Sequence, residues 1–434
     1  MADRKTSEPA SARQSQAVPP PAFPTHNSPR VWFITQALSP LAVRLIRLLL
    51  GHGDYVVACL PPRDVNDEAI SAEFRELASE CRAAAGGGEG LTSSAGPTTA
   101  GTAPSSFGQG TRSKDREGWK DRIRAIRCDG SMMSHCSGAI SEAVHIFGRI
   151  DILLCCSSAA AIGSVEELDG TSLVGEQFEI NFFSHVNFIK AALPQLRAQK
   201  TGHIIALSNI GGHIGTPGMP ITTAATWALE GYCDSLAYEI APFNIKVTIV
   251  QPQTEVSLLT NKIVFAPVMP EYEASAAAAA AAASSYAATD NNPNSLIYEE
   301  ESPEPEAPLS SLRGMLFNLL GEYGHPNVKL TQEMLAAPNE PQRRYPQLPA
   351  SSLDKLLLET VHALAAIGGL ENPPTRHIVG FDAAAAVEEK LKTVTEELED
   401  FVETSLSVDI FDSELKQEAR EGKAPGQVPQ QEEQ

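Results

Sequence analysis

From Val31 onward, short apolar runs alternate with stretches whose apolar residues recur at helical spacing, and this alternation restricts the possible folds more than any other feature. A run that is apolar throughout is buried on both faces, and consecutive parallel strands need a long crossover, so the pattern predicts right-handed βαβ units on a parallel sheet. The strand candidates are VWFIT (31–35), YVVACL (55–60), IRAIRCD (123–129), IDILLCC (150–156), GHIIALS (202–208) and KVTIVQP (246–252). Helices are predicted over 69–82, 137–148, 176–199 and 223–240. Another lies between the first two strands, where Leu41, Leu45, Leu48 and Leu49 recur and Gly51 or Gly53 supplies the stop. The fold class is α/β: a doubly wound parallel sheet in a single domain, with low-complexity inserts and a helical C-terminal extension.

Composition divides the chain further. Residues 1–29, rich in Pro, Ser and Ala without a period, read as a disordered leader, because they offer too little apolar surface to offset chain entropy. The sheet domain is expected over 30–262, interrupted by a disordered Gly/Ser/Thr insert at 83–118. An Ala-rich and then acidic insert follows at 263–310. A helical extension packing on the domain is expected over 311–412, and a disordered tail over 413–434. Within the extension, 351–369 has a polar start and a glycine stop, 375–382 reads as a short strand or turn, and a helix runs from Ala383 to about Thr404.

With 434 residues and 42% hydrophobic content, the chain can bury a large core. Its formal charge of −21 comes largely from 298–308, 387–403 and 430–434, which makes nucleic acid an unsuitable partner. The seven cysteines form no framework, and Cys155 and Cys156 are adjacent at the end of a strand, a pattern that suits buried thiols in a reducing compartment. Neighbouring strand residues point to opposite faces, so these two are poor joint metal ligands, and no His/Cys/Asp/Glu cluster has metal spacing elsewhere. The N-terminus lacks the apolar core of a signal peptide, and no run reaches the roughly 18 apolar residues of a membrane span. A cytoplasmic location is expected, with the nucleus also compatible.

The segments 180–220, beginning INFFSHVNFIKAALPQLR, 228–252 (ALEGYCDSLAYEIAPFNIKVTIVQP) and 371–383 (ENPPTRHIVGFDA) resemble the short-chain dehydrogenase/reductase family, in particular its longer hydroxysteroid-dehydrogenase-like members. The likeness implies a Rossmann-like fold with NADP or NAD as cofactor. It also exposes departures. The family's Thr-Gly-x-x-x-Gly-x-Gly turn is TQALSPLA (35–42) here, with Gln36, Pro40 and Ala42 at the glycine positions. Glycine serves such a turn by permitting unusual backbone angles and close approach to a pyrophosphate. Pro40 removes one N–H at a helix start, yet Ser39 before it is a good N-cap and proline is favoured at the first helical position. After the second strand, where the family selects its cofactor, Leu60 and Pro61 stand, with Arg63 beyond. Asp129 matches the family residue near the adenine, or serves as a loop cap. Cys155-Cys156-Ser157-Ser158 replaces Asn-Asn-Ala-Gly.

The family's catalytic serine, tyrosine and lysine align with Asn209, Thr222 and Thr226, and its supporting asparagine with Asn181. An aliphatic hydroxyl lacks the acidity of a phenol, whose pKa is near ~10, so Thr222 is a poor acid/base, and Thr226 brings no charge to help. None of the eight tyrosines has a lysine four residues later, and Ser208 beside Asn209 reads as structural.

The reading this supports is a catalytically inactive homologue acting as a binding or regulatory scaffold, with no cofactor expected. The alternatives are an NAD(P)-dependent oxidoreductase of hydroxyl or keto substrates with a diverged site, and a small-molecule binding module using the old substrate cleft beside 211–220. In the family two helices build dimers; here 176–199 and 223–240 carry Phe182, Phe188, Trp227 and Tyr232 and are the expected surface for a homodimer or heterodimer.

Overall fold

The computed structural model describes residues 28–83, 116, 118–168, 171–267, 269 and 341–407. Residues 1–27 of the expected leader 1–29, most of the insert 83–118, most of the Ala-rich and acidic stretch, residues 311–340 and 408–412 of the expected extension and the tail 413–434 lie outside the described residues.

Strands β1 (Val31–Ile34), β2 (Tyr55–Leu60), β3 (Ile123–Arg127), β4 (Ile152–Cys155), β6 (Gly202–Leu207), β7 (Ile245–Gln251) and β10 (Arg376–Ile378) form one seven-stranded sheet in the order β10-β7-β6-β4-β1-β2-β3. Every pairing in it is parallel. Alternation along the strands feeds two separate cores. Trp32, Ile34, Val56, Ala58, Ile152 and Leu154 face helices α1 (Pro40–His52), α2 (Glu68–Ala83) and the later α9 (Ala350–Gly369). Phe33, Val57, Leu153 and Ile204 face α4 (Met133–Phe147), α6 (Ser184–Gln199) and α7 (Pro220–Ile240). The sheet is therefore doubly wound, as its apolar runs require.

Local chemistry sets the ends of α1. The Ser39 hydroxyl accepts from the Ala42 amide at 3.2 Å, Pro40 starts the helix, and Gly53, at φ 95°, closes it in a conformation that a side chain would strain. α9 lies against the α1 side of the sheet. A Cβ at Gly368 would overlap the Trp32 ring, so glycine allows the two to touch. Fully buried Arg44 of α1 pairs with buried Asp354 of α9 at 2.8 Å and with Glu73 of α2 at 2.6 Å.

Several elements depart from the sequence reading. Between 176 and 199 the expected single helix is α5 (Thr171–Phe178), a π-helical turn over Glu179–Phe183, and α6. The stretch after residue 262 begins as strand and not as insert, because Ile263, Val264 and Phe265 are core residues of β8 (Lys262–Phe265). β8 pairs in parallel with β5 (Ala159–Ile162) and antiparallel with β9 (Gln342–Arg344), making a second, three-stranded sheet. The short helices α3 (Trp119–Arg122) and α8 (Thr254–Thr260) complete this part of the chain. The last helix breaks at Phe401 into α10 (Phe381–Asp400) and α11 (Val402–Ser407). The described chain divides into two compact units after Ala383, the second beginning inside α10.

Candidate active site

In a parallel sheet, loops at the carboxyl ends of the strands open a crevice where the strand order reverses. Here the reversal falls between β1 and β4, and a cleft of about 710 Å³ opens there. Thr35 and Gln36 after β1, Pro61 and Arg63 after β2, Asp129 after β3 and Ser157 after β4 line it. The Thr35 hydroxyl accepts from the Cys156 amide at 3.0 Å and so ties the two central loops together.

Several donors of the turn at 35–42 are bonded within the protein. The Ala37 amide bonds the Cys59 carbonyl at 2.9 Å, the Ala42 amide bonds Ser39 Oγ, and the Val43 amide bonds the Ser39 carbonyl at 3.0 Å. Pro40 has no N–H to offer. Ala37 and Leu38 are buried beneath the turn. This turn offers a pyrophosphate fewer main-chain donors than a glycine turn would, since Pro40 has none and the Ala37, Ala42 and Val43 amides are already bonded.

The aligned catalytic positions are brought together, and each is engaged by the protein itself. Thr222 accepts from the Ala161 amide at 3.1 Å and donates to either the Ala161 carbonyl, 3.2 Å away, or Gln177 Oε1, 3.3 Å away. Thr226 donates to the Thr222 carbonyl at 3.0 Å. Asn181, inside the π turn, bonds both the amide and the carbonyl of Ala159 at 2.9 Å. Asn209 caps its own loop by accepting from the Gly211 amide at 2.8 Å. Thr222 and Asn181 thus hold the backbone of β5. The space beside Thr226, Asn181 and Asn209 measures only about 30 Å³, room for a water molecule.

Several neighbours escaped the sequence reading. Gln177, one helical turn before Asn181, donates to the Ala159 carbonyl at 2.7 Å. His185 donates Nε2–H to the Ser157 carbonyl at 2.8 Å, which leaves Nδ1 as the unprotonated nitrogen. Burial lowers this histidine's pKa to about 4, opposed only weakly by that hydrogen bond. Buried Glu230 of α7 accepts from Ser208 at 2.5 Å and Gln251 at 2.8 Å and pairs with Arg376 of β10 at 2.6 Å. Only its distance from Arg376 in sequence hid this network.

The cleft's charges are largely spoken for. Glu176 pairs with Arg343 at 2.8 Å and Lys262 at 3.7 Å; burial raises its pKa, but these cations, Arg343 foremost, bring it below the usual range. Asp129 accepts from the Ser131 amide at 3.1 Å and hydroxyl at 2.7 Å, the pattern of a loop cap. Burial raises it, and those bonds more than compensate and lower it. Cys155 and Cys156 enter opposite cores, and burial pushes both thiols up, Cys156 to about 11. Among the described residues no His/Cys/Asp/Glu group is arranged to hold a metal ion, and no helix is long and apolar enough to cross a membrane.

Comparison with known proteins places these features. The model of the short chain dehydrogenase family matches residues 107–263. The oxidoreductase BOA17 of Botryotinia fuckeliana is 36% identical over 133 residues, 31% of this chain and 48% of that protein. The 3-ketodihydrosphingosine reductase of Bacteroides thetaiotaomicron is 37% identical over 131 residues, 30% of this chain and 48% of that protein. Human retinol dehydrogenase 8 is 31% identical over 147 residues, 33% of this chain and 44% of that protein. The chain matches about half the length of these curated relatives. Among solved structures, a short-chain dehydrogenase from Streptomyces avermitilis superposes with a TM-score of 0.53 at 19% identity, over 89% of this chain and all of that one, a likeness of fold. The segment 107–263 is thus similar to the short chain dehydrogenase family, and the described chain shares the fold of a solved short-chain dehydrogenase.

Proposed function

We propose that this chain is a catalytically inactive member of its family that acts by binding, as a scaffold or regulator. The observation that carries the reading is the fate of the three reactive positions: Asn209, Thr222 and Thr226 are buried and bonded to the protein's own backbone, and the space beside Asn209 and Thr226 is only about 30 Å³. A proton relay needs a group of suitable acidity within reach of a substrate, and losing one costs about 10²–10⁴ in rate. The missing N–H of Pro40 and the bonded amides of Ala37, Ala42 and Val43 support the same reading for the cofactor.

The test is a titration with NADPH and NADH followed by thermal unfolding. Neither is expected to raise the melting temperature, whereas a ligand at 100 times its dissociation constant would add roughly 2.7 kcal/mol. Clear stabilisation overturns the reading. Turnover of a ketone or alcohol that is lost on changing Thr222 or Asn209 would establish instead the diverged oxidoreductase that the relatives' names suggest.

The 710 Å³ cleft favours a second reading, a small-molecule binding module at the former cofactor end, where Arg63, Asp64 and Asp129 supply polar contacts. A dimer through α6 and α7 is supported by the exposure of Trp227, 55%, and Tyr238, 84%. Phe188 does not belong to that surface: it is buried against Phe33 at a ring separation of 5.8 Å, because its side of α6 faces the sheet.

A further inference from the structure

Three buried thiols meet beside the cleft, and neither functional reading above uses them. Cys59 of β2, Cys128 just after β3 and Cys136 near the start of α4 belong to one core, and all three are free. Cys128 is the central one, with the thiols of Cys136 and Cys59 as its side-chain hydrogen-bonding neighbours. Cys136 Sγ also reaches the main chain that follows Cys128, at 3.6 Å from the Gly130 carbonyl and 4.0 Å from that of Asp129. Of the seven cysteines, Cys128 alone lines the cleft of about 710 Å³. A small reactant in the cleft therefore meets this sulfur and no other.

The surroundings of Cys128 suit it to attack. Two S–H donors, Cys136 foremost and then Cys59, stabilise its thiolate and lower its pKa against the effect of burial. The thiolate is the nucleophilic form. Only one of the two neighbours is placed to bridge with it. Cys59 is in register with Ile126, so Cys128 stands two residues further along the neighbouring strand, where the Leu60 carbonyl still accepts from its amide at 3.1 Å. Strands roughly 4.8 Å apart that rise about 3.3 Å per residue put those two Cα atoms about 8 Å apart, beyond the ~7 Å that a disulfide spans. Cys136 carries no such restriction, because a loop joins it to Cys128.

We propose that Cys128 is a site of oxidation by hydroperoxides and that Cys136 is its resolving thiol, the product being a Cys128–Cys136 disulfide. In the first step the Cys128 thiolate attacks a peroxide oxygen: the S–O bond forms, the O–O bond breaks, and hydrogen peroxide leaves one oxygen as water. Cys136 then attacks the sulfenic sulfur: the S–S bond forms, the S–O bond breaks, and the thiol proton leaves with the hydroxide as a second water. Two thiols have lost two electrons, and the peroxide has gained them. The bridge closes the short loop whose Asp129, Gly130 and Ser131 line the cleft. It requires neither the scaffold reading nor the ligand-binding one.

The experiment maps thiols in the full chain. Residues 128–149 form a single tryptic peptide that holds Cys128 and Cys136 and no other cysteine. The protein is reduced, freed of reductant, treated with hydrogen peroxide, unfolded and alkylated with iodoacetamide. The peptide is expected to be lighter by two hydrogens and to carry no alkyl group; dithiothreitol before alkylation should restore both alkylation sites. Exposed Met132 and Met133 share the peptide, but dithiothreitol does not reverse a sulfoxide, so the reversible change reports the thiols. Cys136→Ser is expected to leave Cys128 as a sulfenic acid that dimedone captures, with thermal unfolding confirming the fold. The wild-type map needs no variant and can refute the proposal by itself. Two alkyl groups on 128–149 after peroxide overturn it. So does a bridge from Cys128 to the tryptic peptide 48–63, which holds Cys59, or capture by dimedone at any cysteine other than Cys128 in the Cys136→Ser variant.

Discussion

Thr222 and Thr226 lie one turn apart on α7, and their hydroxyls tie that helix to β5 and to itself. Such a hydroxyl is a structural fitting, and its removal can be measured as one. Thr222→Val keeps the shape of the side chain but leaves the buried Ala161 amide without its acceptor, so stability is expected to fall by about 1–3 kcal/mol in urea unfolding, with the fold retained. An unchanged midpoint would show that water replaces the hydroxyl there. The identity of these threonines was legible in the sequence by position alone, since the family's serine, tyrosine and lysine have known spacing. What they bond was not legible, because β5 is four residues of alanine and isoleucine with too little pattern to declare a strand. Gln177 was hidden for the same reason: its partner is the backbone of that strand.

Among the elements, the strands of the large sheet were read nearly to the residue, because burial on both faces leaves runs such as VWFI that only a central strand explains. α1 was legible at its start from Ser39 and Pro40, and its stop was narrowed to Gly51 or Gly53, of which Gly53 is the cap. β8 and β9 were not, since they pair with segments remote in sequence and have no turn between them to announce a hairpin. The docking of α9 was likewise invisible as a contact, although its helix was clear. It rests on a close approach that can be tested. Gly368→Ala places a methyl group in the Trp32 ring and is expected to destabilise the chain by about 1–3 kcal/mol, against the usual benefit of alanine in a helix. Gly138→Ala in α4, where a Cβ meets nothing, is expected to be neutral or stabilising by up to about 1 kcal/mol. Equal effects at the two sites in thermal unfolding would remove Gly368 from the interface.

For the molecule as a whole, acid should act through histidines that folding keeps neutral. His203 bonds Thr248 at 2.9 Å, and burial first, then Arg30 and Lys246, lower it to about 3; His185 is lowered to about 4. Both values lie below the unfolded reference near ~6.5, so their contribution is fully present above that pH and is lost as pH falls toward the folded values. By pH 5 each is expected to have cost on the order of 2 kcal/mol, and His203→Gln should flatten the pH dependence of the urea midpoint relative to wild type. A variant as acid-sensitive as wild type would exclude His203. The second sheet adds a property of a different kind. β8 and β9 run antiparallel, Phe265 opposite Gln342, so in topology they are the two arms of a hairpin whose loop is everything from 266 to 341. Closing a loop grows costlier only with the logarithm of its length, about 0.6 kcal/mol per doubling. Whatever separates the arms along the chain, their pairing is what brings Arg343 and Tyr345 back to the rim of the cleft that the loops after β1 and β2 also line.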